Sequence, residues 1–434
     1  MDEGPILHQR FGKRTPTSKT TESIDEQILP SLVAQSMGKQ QPVIFGSFVI
    51  TAFKRWFGLN KYRVHVPWTT YVAGKLGQSP AFDASVYSLN AIFMGHAHTD
   101  TNLQRSSREM YSKALRLFGK RIHDPNQMKS RESVSITILL SLFETYSRTD
   151  PDSWARHAGG TALLMAHRGP NAHLTGFDRC LYLSFRSFIV AEAFVNDKPC
   201  IFERPEWQAL IDQVRSEDMA DPRVDGPIAL FIDLQDRIFM EGSKVPGLLF
   251  QARRLHIESD REQASQFLAL RSLQCCQALR RLSTQLRIAA AAQSSRADVA
   301  GDGAKGAFIG PVPSTFPQEI ANSVLKGSDI CLYILQMLLD YLACLEKDKT
   351  GHMTRKSFQG DREMSDPLPF RIVSKLKADM NHDIIPASEW CDMAAASMGL
   401  EAFEVRTCAV EDSDFTHFRG NLKERGTASS IPRY

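Results

Sequence analysis

The sequence predicts an all-α protein of stacked helical hairpins, either a bundle or a solenoid-like array. Apolar residues recur at three- and four-residue steps over most of the chain, and Pro or Gly falls at the ends of many such stretches. No stretch alternates apolar and polar residues strongly enough to require a sheet. The hydrophobic fraction of 43% is ordinary for a globular protein and allows a sizeable core without disulfides.

Composition divides the 434 residues into three parts. Residues 1–25 are polar, with several Pro, Thr and Ser, and we expect them to be disordered. One helical domain is expected over residues 26–410, with a flexible Gly/Pro-rich loop at 293–317 and a polar insert at 348–366. Residues 411–434 are expected to form a loose tail.

Helical patterns follow one another along the domain. The predicted helices cover approximately residues 25–39, 42–57, 81–96, 102–122, 178–195, 205–214, 227–240, 248–292, 318–347, 370–380 and 387–398, besides a hairpin between residues 139 and 170. In the long stretch 248–292, Phe267 and several leucines are predicted to lie on one side and seven arginines on the other. We interpret the basic side as solvated; contact with a nucleic acid or an acidic partner is the alternative.

The hairpin has the sequence LLSLFETYSRTDPDSWARHAGGTALLMAHRGP, from Leu139 to Pro170. The spacing of Leu139, Leu142 and Tyr146 predicts a helix with one apolar stripe. Asp150 precedes Pro151, a pair that favours an N-cap followed by the first turn of the next helix.

The second helix of the hairpin carries two adjacent glycines, Gly159 and Gly160. Each glycine costs about 1 kcal/mol relative to alanine inside a helix. We therefore expect them to permit the close approach of another helix. A basic last turn, Gly169 and Pro170 then predict the end of this helix.

Charge and cysteine content favour an intracellular, soluble protein. The net charge of +3 is close to balance and does not favour a basic surface over the whole chain, although a local patch remains possible. None of the eight cysteines forms a CxxC pair, so we expect buried free thiols in a reducing compartment and no zinc site. The N-terminus has no apolar core typical of a signal peptide.

Three motifs could suggest chemistry, but their contexts favour other interpretations. GDGAKG, at residues 301–306, matches a dinucleotide-binding pattern without a preceding strand. His96 and His98 are two residues apart at the predicted end of a helix, where they complement its dipole better than they would bind a metal. Glu144 and His157 could form an acid–base pair, but capping and inter-helix hydrogen bonds are the favoured interpretation. We therefore predict no catalytic residues, no metal site and no cofactor.

The hairpin resembles the fungal-specific transcription factor domain, the helical region that usually follows a six-cysteine zinc cluster. The resemblance rests on a Leu-rich helix that ends in a glutamate and an aromatic residue, a Trp-x-x-His helix and an R-G-P ending. In this sequence these positions are Glu144, Tyr146, Trp154, His157, Arg168, Gly169 and Pro170. EMYSKALRLFGKRIHDP, with Tyr111, Ala114 and Leu115, and NDKPCIFERPEWQAL, with Pro199, Pro205, Glu206 and Trp207, are similar to two further segments of that family. The likeness spans about residues 30–400.

The resemblance implies a helical regulator of transcription in a fungal nucleus, with control of secondary metabolism as one role. No cysteine precedes Cys180, so either the protein has no zinc cluster of the kind with which that family reads DNA, or the cluster lies outside the sequence given. We expect no DNA-binding residues; the expected partners are a DNA-binding regulator or a second copy, and a small apolar ligand is possible. Our candidate pocket or structural positions are Trp154, His157, Arg168, Tyr182 and Trp207.

Two alternatives remain. One is an enzyme that reuses the helical scaffold, with His96, His98, Glu144 or His157 as acid–base groups. The other is a scaffold that pairs with a full-length regulator and titrates it.

Overall fold

The computed structural model describes residues 39–50, 63–147, 149, 153–257, 260–301 and 318–347. The residues from Pro42 onward form one compact unit, and only the last three residues of the preceding unit, 1–41, are described. The predictions for residues 1–25, 348–366, 370–380, 387–398 and 411–434 lie outside the described residues.

Helices account for nearly all of the described chain. They are α1 (residues 39–50), α2 (Trp68–Lys75), α3 (Pro80–Ala97), α4 (Thr101–Ile122), α5 (Pro125–Met128), α6 (Arg131–Ser147), α7 (Ser153–Arg168), α8 (Gly176–Val195), α9 (Pro205–Met219), α10 (Gly226–Gly242), α11 (Val245–Arg254), α12 (Arg261–Gly301) and α13 (Gln318–Lys347). No strand occurs within these ranges, and the prediction of an all-α fold is confirmed.

Helices that follow one another along the chain pack side by side. The most extensive contacts join α3 with α4, α6 with α7, and α12 with α13. α9 packs on α10, and α10 in turn packs on α12. The expected arrangement of stacked hairpins is therefore present.

Two apolar cores lie along this stack. The first is formed by side chains from α1 to α9, together with Phe239 of α10. The second is formed by α10 to α13 and the 3₁₀ turn at Leu255–Ile257. α6 lies inside the first core, and every residue from Glu132 to Ser147 is buried. The sequence predicted one apolar stripe for this helix; the helix is instead covered on all sides, because α3, α4, α7 and α8 contact it.

The second helix of the hairpin ends as predicted. Gly169 adopts a φ of +80°, and its N–H donates to the carbonyl oxygens of Met165 and Ala166. With its ψ of 158°, this is an extended conformation at positive φ that essentially only glycine adopts, and it ends the helix. The predicted N-cap, Asp150, and Pro151 lie outside the described residues.

The predicted single helix over residues 248–292 is wrong in two respects. It is divided into α11 and α12, which the 3₁₀ turn separates. α12 also extends to Gly301, so residues 293–301, predicted as loop, are helical. The physical reason is that four alanines precede this stretch and the first glycine or proline after them is Gly301 itself.

The predicted apolar face of this helix is also shifted. Phe267 is 59% exposed, whereas Leu268, Leu279 and Leu282 are buried in the second core. Leu268 precedes Leu279 by eleven residues, about three full turns, and so shares its face. Phe267 is one residue out of phase with that face.

Candidate functional site

The five predicted site residues fall into two groups in the structure. Trp154 and His157 lie in the first half of α7, where this helix packs against α6. Arg168, Tyr182 and Trp207 belong to the end of α7, to α8 and to α9, respectively. We call the first group the hairpin cluster and the second group the corner cluster.

Glu144 connects the two helices of the hairpin cluster. Its side chain is 2% exposed, and its Oε2 accepts hydrogen bonds from the Thr149 N–H (3.2 Å), the Thr149 hydroxyl (2.5 Å) and the Ser153 hydroxyl (2.7 Å). The carboxylate thus binds both Thr149 and Ser153, the first residue of α7. Trp154 follows directly; it is fully buried, and its carbonyl accepts a hydrogen bond from Ser141 of α6.

Tyr111 of α4 brings His157 into the same cluster. The Tyr111 hydroxyl lies 2.8 Å from His157 Nε2, and the Tyr111 ring stacks on Phe143 with centroids 4.3 Å apart. Burial, followed by the adjacent Glu144, raises the pKa of Tyr111 above its ordinary value. Burial lowers the pKa of His157 to about 4. At neutral pH the phenol is therefore protonated and the imidazole is neutral, and the two groups share one hydrogen bond.

This protonation pattern suits a fixed hydrogen bond better than proton transfer. An efficient general acid or base has a pKa near the working pH, and both groups are shifted away from neutrality. The cluster does contain the Glu144 and His157 that the sequence suggested as a possible pair. Tyr111, which lies between them, was singled out only through the family resemblance.

The corner cluster is an aromatic and ionic junction. Trp207 is 1% exposed and lies edge-to-face on Phe202 at 5.3 Å, while Tyr182 approaches Phe202 at 5.7 Å. Arg168 forms an ion pair with Asp178 of α8 at 2.6 Å. His173 lies between the two halves of this junction, and its ring centroid is 5.7 Å from that of Trp207. Burial and, to a smaller extent, the positive charge of Arg168 lower the pKa of His173 to about 4.

A buried ionic network lies beside the corner cluster. Arg63 donates to Asp218 at 2.5 Å and to Asp236 at 2.5 Å, and Arg186 donates to Asp236 at 2.7 Å. Arg179 also forms an ion pair with Asp218. Burial alone would raise the pKa of Asp236, but Arg186 and Arg63 lower it below its ordinary value. The network connects the segment before α2 with α8, α9 and α10.

Sequence reasoning missed this network. Its residue types are common on surfaces, and nothing in their spacing predicts that they meet. The available signal was a charge inside an otherwise apolar helix, as at Arg186 in LSFRSFIV and Asp236 in FIDLQDRIF. Charged residues of this kind are rarely buried unless they are paired.

A small apolar cavity lies beneath α1. Phe45, Phe48 and Val49 of α1 form one wall, and Trp68 and residues of α6 and α8 form the others. Its volume is about 30 Å³, which is room for roughly one or two water molecules. Pockets that enclose drug-sized ligands measure roughly 300 Å³ or more. A larger ligand could enter only if one of these walls moved.

The other sequence candidates occupy ordinary structural positions. His96 Nε2 lies 3.1 Å from the carbonyl oxygen of Tyr146, and His98 follows the last residue of α3. Five cysteines are described with their side chains, and each is a buried free thiol, as expected: Cys180, Cys200, Cys275, Cys276 and Cys331. Most of GDGAKG lies outside the described residues.

Arginines predicted on the basic side of 248–292 contact neighbouring helices. Arg287 forms an ion pair with Asp329 at 2.6 Å, and Arg280 donates to Gln336 at 3.0 Å. In the part of the chain that the structure describes, no three His, Cys, Asp or Glu side chains converge in a way that could hold a metal ion, and no helix is both long and apolar enough to cross a membrane.

Comparison with known proteins gives one substantial similarity. The chain is 29% identical over 404 residues to an uncharacterized protein of Emericella nidulans, an alignment that covers 88% of this chain and 84% of that protein. No family model matches the chain. No solved structure matches it either.

Proposed function

We propose that this chain is the regulatory part of a transcription regulator, which acts in a fungal nucleus through contacts with other proteins. The proposal rests on the positions of the residues that carry the family resemblance. Glu144 and His157 connect helices in the hairpin cluster, and Arg168 and Trp207 do so in the corner cluster. Residues with these roles define a scaffold, and a regulatory domain needs a scaffold that can change its packing. The similarity to a chain from a fungus agrees with a fungal-specific family.

The proposed mechanism is a shift in helix packing. The ionic network around Arg63 and Asp236 fixes α8, α9 and α10, whereas α1 covers an apolar cavity with aromatic walls. A small apolar ligand, or the apolar face of a partner helix, would bind where α1 now packs and would alter association with a DNA-binding partner or a second copy. Control of a secondary-metabolite pathway is one role that such a sensor would serve.

A transcription reporter tests this proposal. The full chain is fused to a heterologous zinc-cluster DNA-binding domain and expressed in a fungal host that carries the cognate promoter. We expect the fusion to change transcription at least several-fold relative to the DNA-binding domain alone, and the unfused chain to leave it unchanged. A folded, nuclear fusion that leaves transcription at the level of the DNA-binding domain alone would contradict the proposal.

A second candidate function is an enzyme that uses the hairpin cluster. One observation favours it: three groups able to carry protons, from Tyr111, Glu144 and His157, meet in a buried position. Turnover of a defined metabolite that is lost in a folded His157→Gln variant would support the enzyme. A third candidate is a scaffold that titrates a full-length regulator, which requires a stable heterodimer in light scattering.

A further inference from the structure

α12 carries an exposed apolar stripe. Phe267, Leu270 and Leu273 are 59%, 52% and 43% exposed and follow one another at intervals of three residues, over about two turns. The opposite side of the helix contributes Leu268 and Leu279 to the second core. Single exposed apolar residues are normal on protein surfaces, but a contiguous row of large ones indicates a surface that binds something.

α12 itself is basic along the stripe, and its Arg271 also donates to Gln251 of α11 at 2.9 Å. α12 contains no Asp or Glu between residues 263 and 297. Arg271 extends over the Phe267 ring, with Cζ 5.7 Å from the ring centroid, and the exposed Arg281 lies further along the same side. An occupant with an apolar face and acidic flanks therefore complements this surface.

The chain leaves α13 close to the stripe. α12 and α13 are antiparallel. The hydroxyl oxygens of Ser283 and Ser328 lie 2.6 Å apart, whereas Arg261, at the start of α12, acts electrostatically on Tyr341, which is nearer the end of α13. α13 therefore ends, at Lys347, beside the beginning of α12. The sequence continues for 87 residues from that point, because 434 − 347 = 87.

The size of the stripe favours a tethered occupant over a second copy. Three partly exposed side chains provide only a few hundred Å² of apolar surface, compared with the roughly 800 Å² per partner that a stable complex buries. A segment of the same chain needs less area, because tethering raises its effective concentration to about the millimolar range.

One segment beyond Lys347 has the required chemistry. Residues 387–398, ASEWCDMAAASM, place Trp390, Met393 and Ala394 at positions i, i+3 and i+4 of a predicted helix. The segment also contains Glu389 and Asp392 and has no Lys or Arg. Between Lys347 and this segment lie 39 residues, and a random coil of that length has an end-to-end distance of about 35 Å. Leu270 lies only about 13 Å along α12 from its first residue.

We propose that residues 387–398 bind the stripe formed by Phe267, Leu270 and Leu273 within the same chain. The Trp390 and Met393 side chains would cover the stripe, and the acidic side chains would lie toward Arg271 and Arg281. A partner helix that uses the stripe would have to displace this segment.

Photocrosslinking in the full chain tests the contact. A benzophenone amino acid replaces Leu270, and the control carries it at Leu163 of α7, which is 61% exposed and belongs to the first core's helices. Irradiation should join position 270, and not position 163, to a peptide from residues 387–398 in a product of monomer mass. A product of dimer mass, a crosslink to another segment, or no specific crosslink at position 270 would overturn the proposal.

Hydrogen exchange gives an independent measurement. Leu270→Asp should raise amide exchange in residues 387–398 by at least about tenfold, because it introduces a charge into the contact. Leu163→Asp should leave that exchange unchanged. Both positions are exposed, so both variants should keep the far-ultraviolet circular dichroism of the parent. Equal exchange of residues 387–398 in the two variants would contradict the proposed contact.

Discussion

Substitution of the adjacent glycines of α7 by alanine should have opposite effects on stability. A Cβ atom at Gly159 would lie 2.7 Å from Glu192 Oε1, whereas none of the described atoms comes within 4 Å of a Cβ at Gly160. Glu192 is 1% exposed, and the same Oε1 accepts from Asn196 at 2.7 Å and pairs with Lys198 at 2.6 Å. The added methyl group would therefore displace a buried, paired carboxylate at one position and contact nothing at the other.

The magnitudes follow from these contacts. Alanine gains about 1 kcal/mol over glycine in a helix interior, and this gain applies to both positions. At position 159, loss of the hydrogen bonds of a buried carboxylate costs about 3 kcal/mol. We expect Gly159→Ala to lower the free energy of unfolding by about 2 kcal/mol, the difference between these terms. Gly160→Ala should raise it by up to about 1 kcal/mol.

Urea unfolding, monitored by circular dichroism, measures the difference directly. In the Gly159→Ala background, Glu192→Asp should restore part of the lost stability, since it withdraws the carboxylate by one methylene group. Equal stability of the two alanine variants, or greater stability of Gly159→Ala, would refute the close approach of α7 and α8 at this point.

Three further variants test the buried polar groups. Asp236→Ala leaves Arg63 and Arg186 without a shared carboxylate and should lower the free energy of unfolding by about 3–5 kcal/mol in urea; a loss below about 1 kcal/mol would be inconsistent with a buried network. Tyr111→Phe removes the hydrogen bond to His157 and should cost about 1 kcal/mol, measured by the same assay; an unchanged midpoint would argue against that bond. His173 has a folded-state pKa of about 4 against the usual 6.5, so the unfolded chain takes up a proton first as the pH falls between these values. Stability should therefore decrease by up to about 1.4 kcal/mol per pH unit below pH 6.5, and His173→Gln should make this decrease shallower; an identical slope in the variant would disprove the assignment.

The hairpin shows what the sequence could predict. Its helical period and its Gly169 stop depend on local rules, because a glycine at positive φ and a basic last turn end a helix in most settings. Those rules could not predict which of Gly159 and Gly160 another helix approaches closely. This depends on where the Glu192 side chain of another helix lies, which is a tertiary contact.

One error has a local origin. Phe267 is predicted on the side of Leu279, but it precedes Leu279 by twelve residues of the same helix and is therefore about a third of a turn out of phase with it. In the candidate site, Glu144 and His157 could be paired from their positions in the hairpin. Tyr111 and Arg63 reach their partners over 46 and 155 residues of sequence, and no local pattern predicts such contacts.

The most direct test of a regulatory scaffold against an enzyme uses the reporter fusion with Glu144→Gln and His157→Gln combined. The output is compared with the fraction of folded protein, measured in the same cells by limited proteolysis. A scaffold predicts that transcription per folded molecule stays at the parent level, because these side chains only connect helices. If the variant stays fully folded and its transcription still falls to the level of the DNA-binding domain alone, the hairpin cluster acts through its chemistry and the account is wrong.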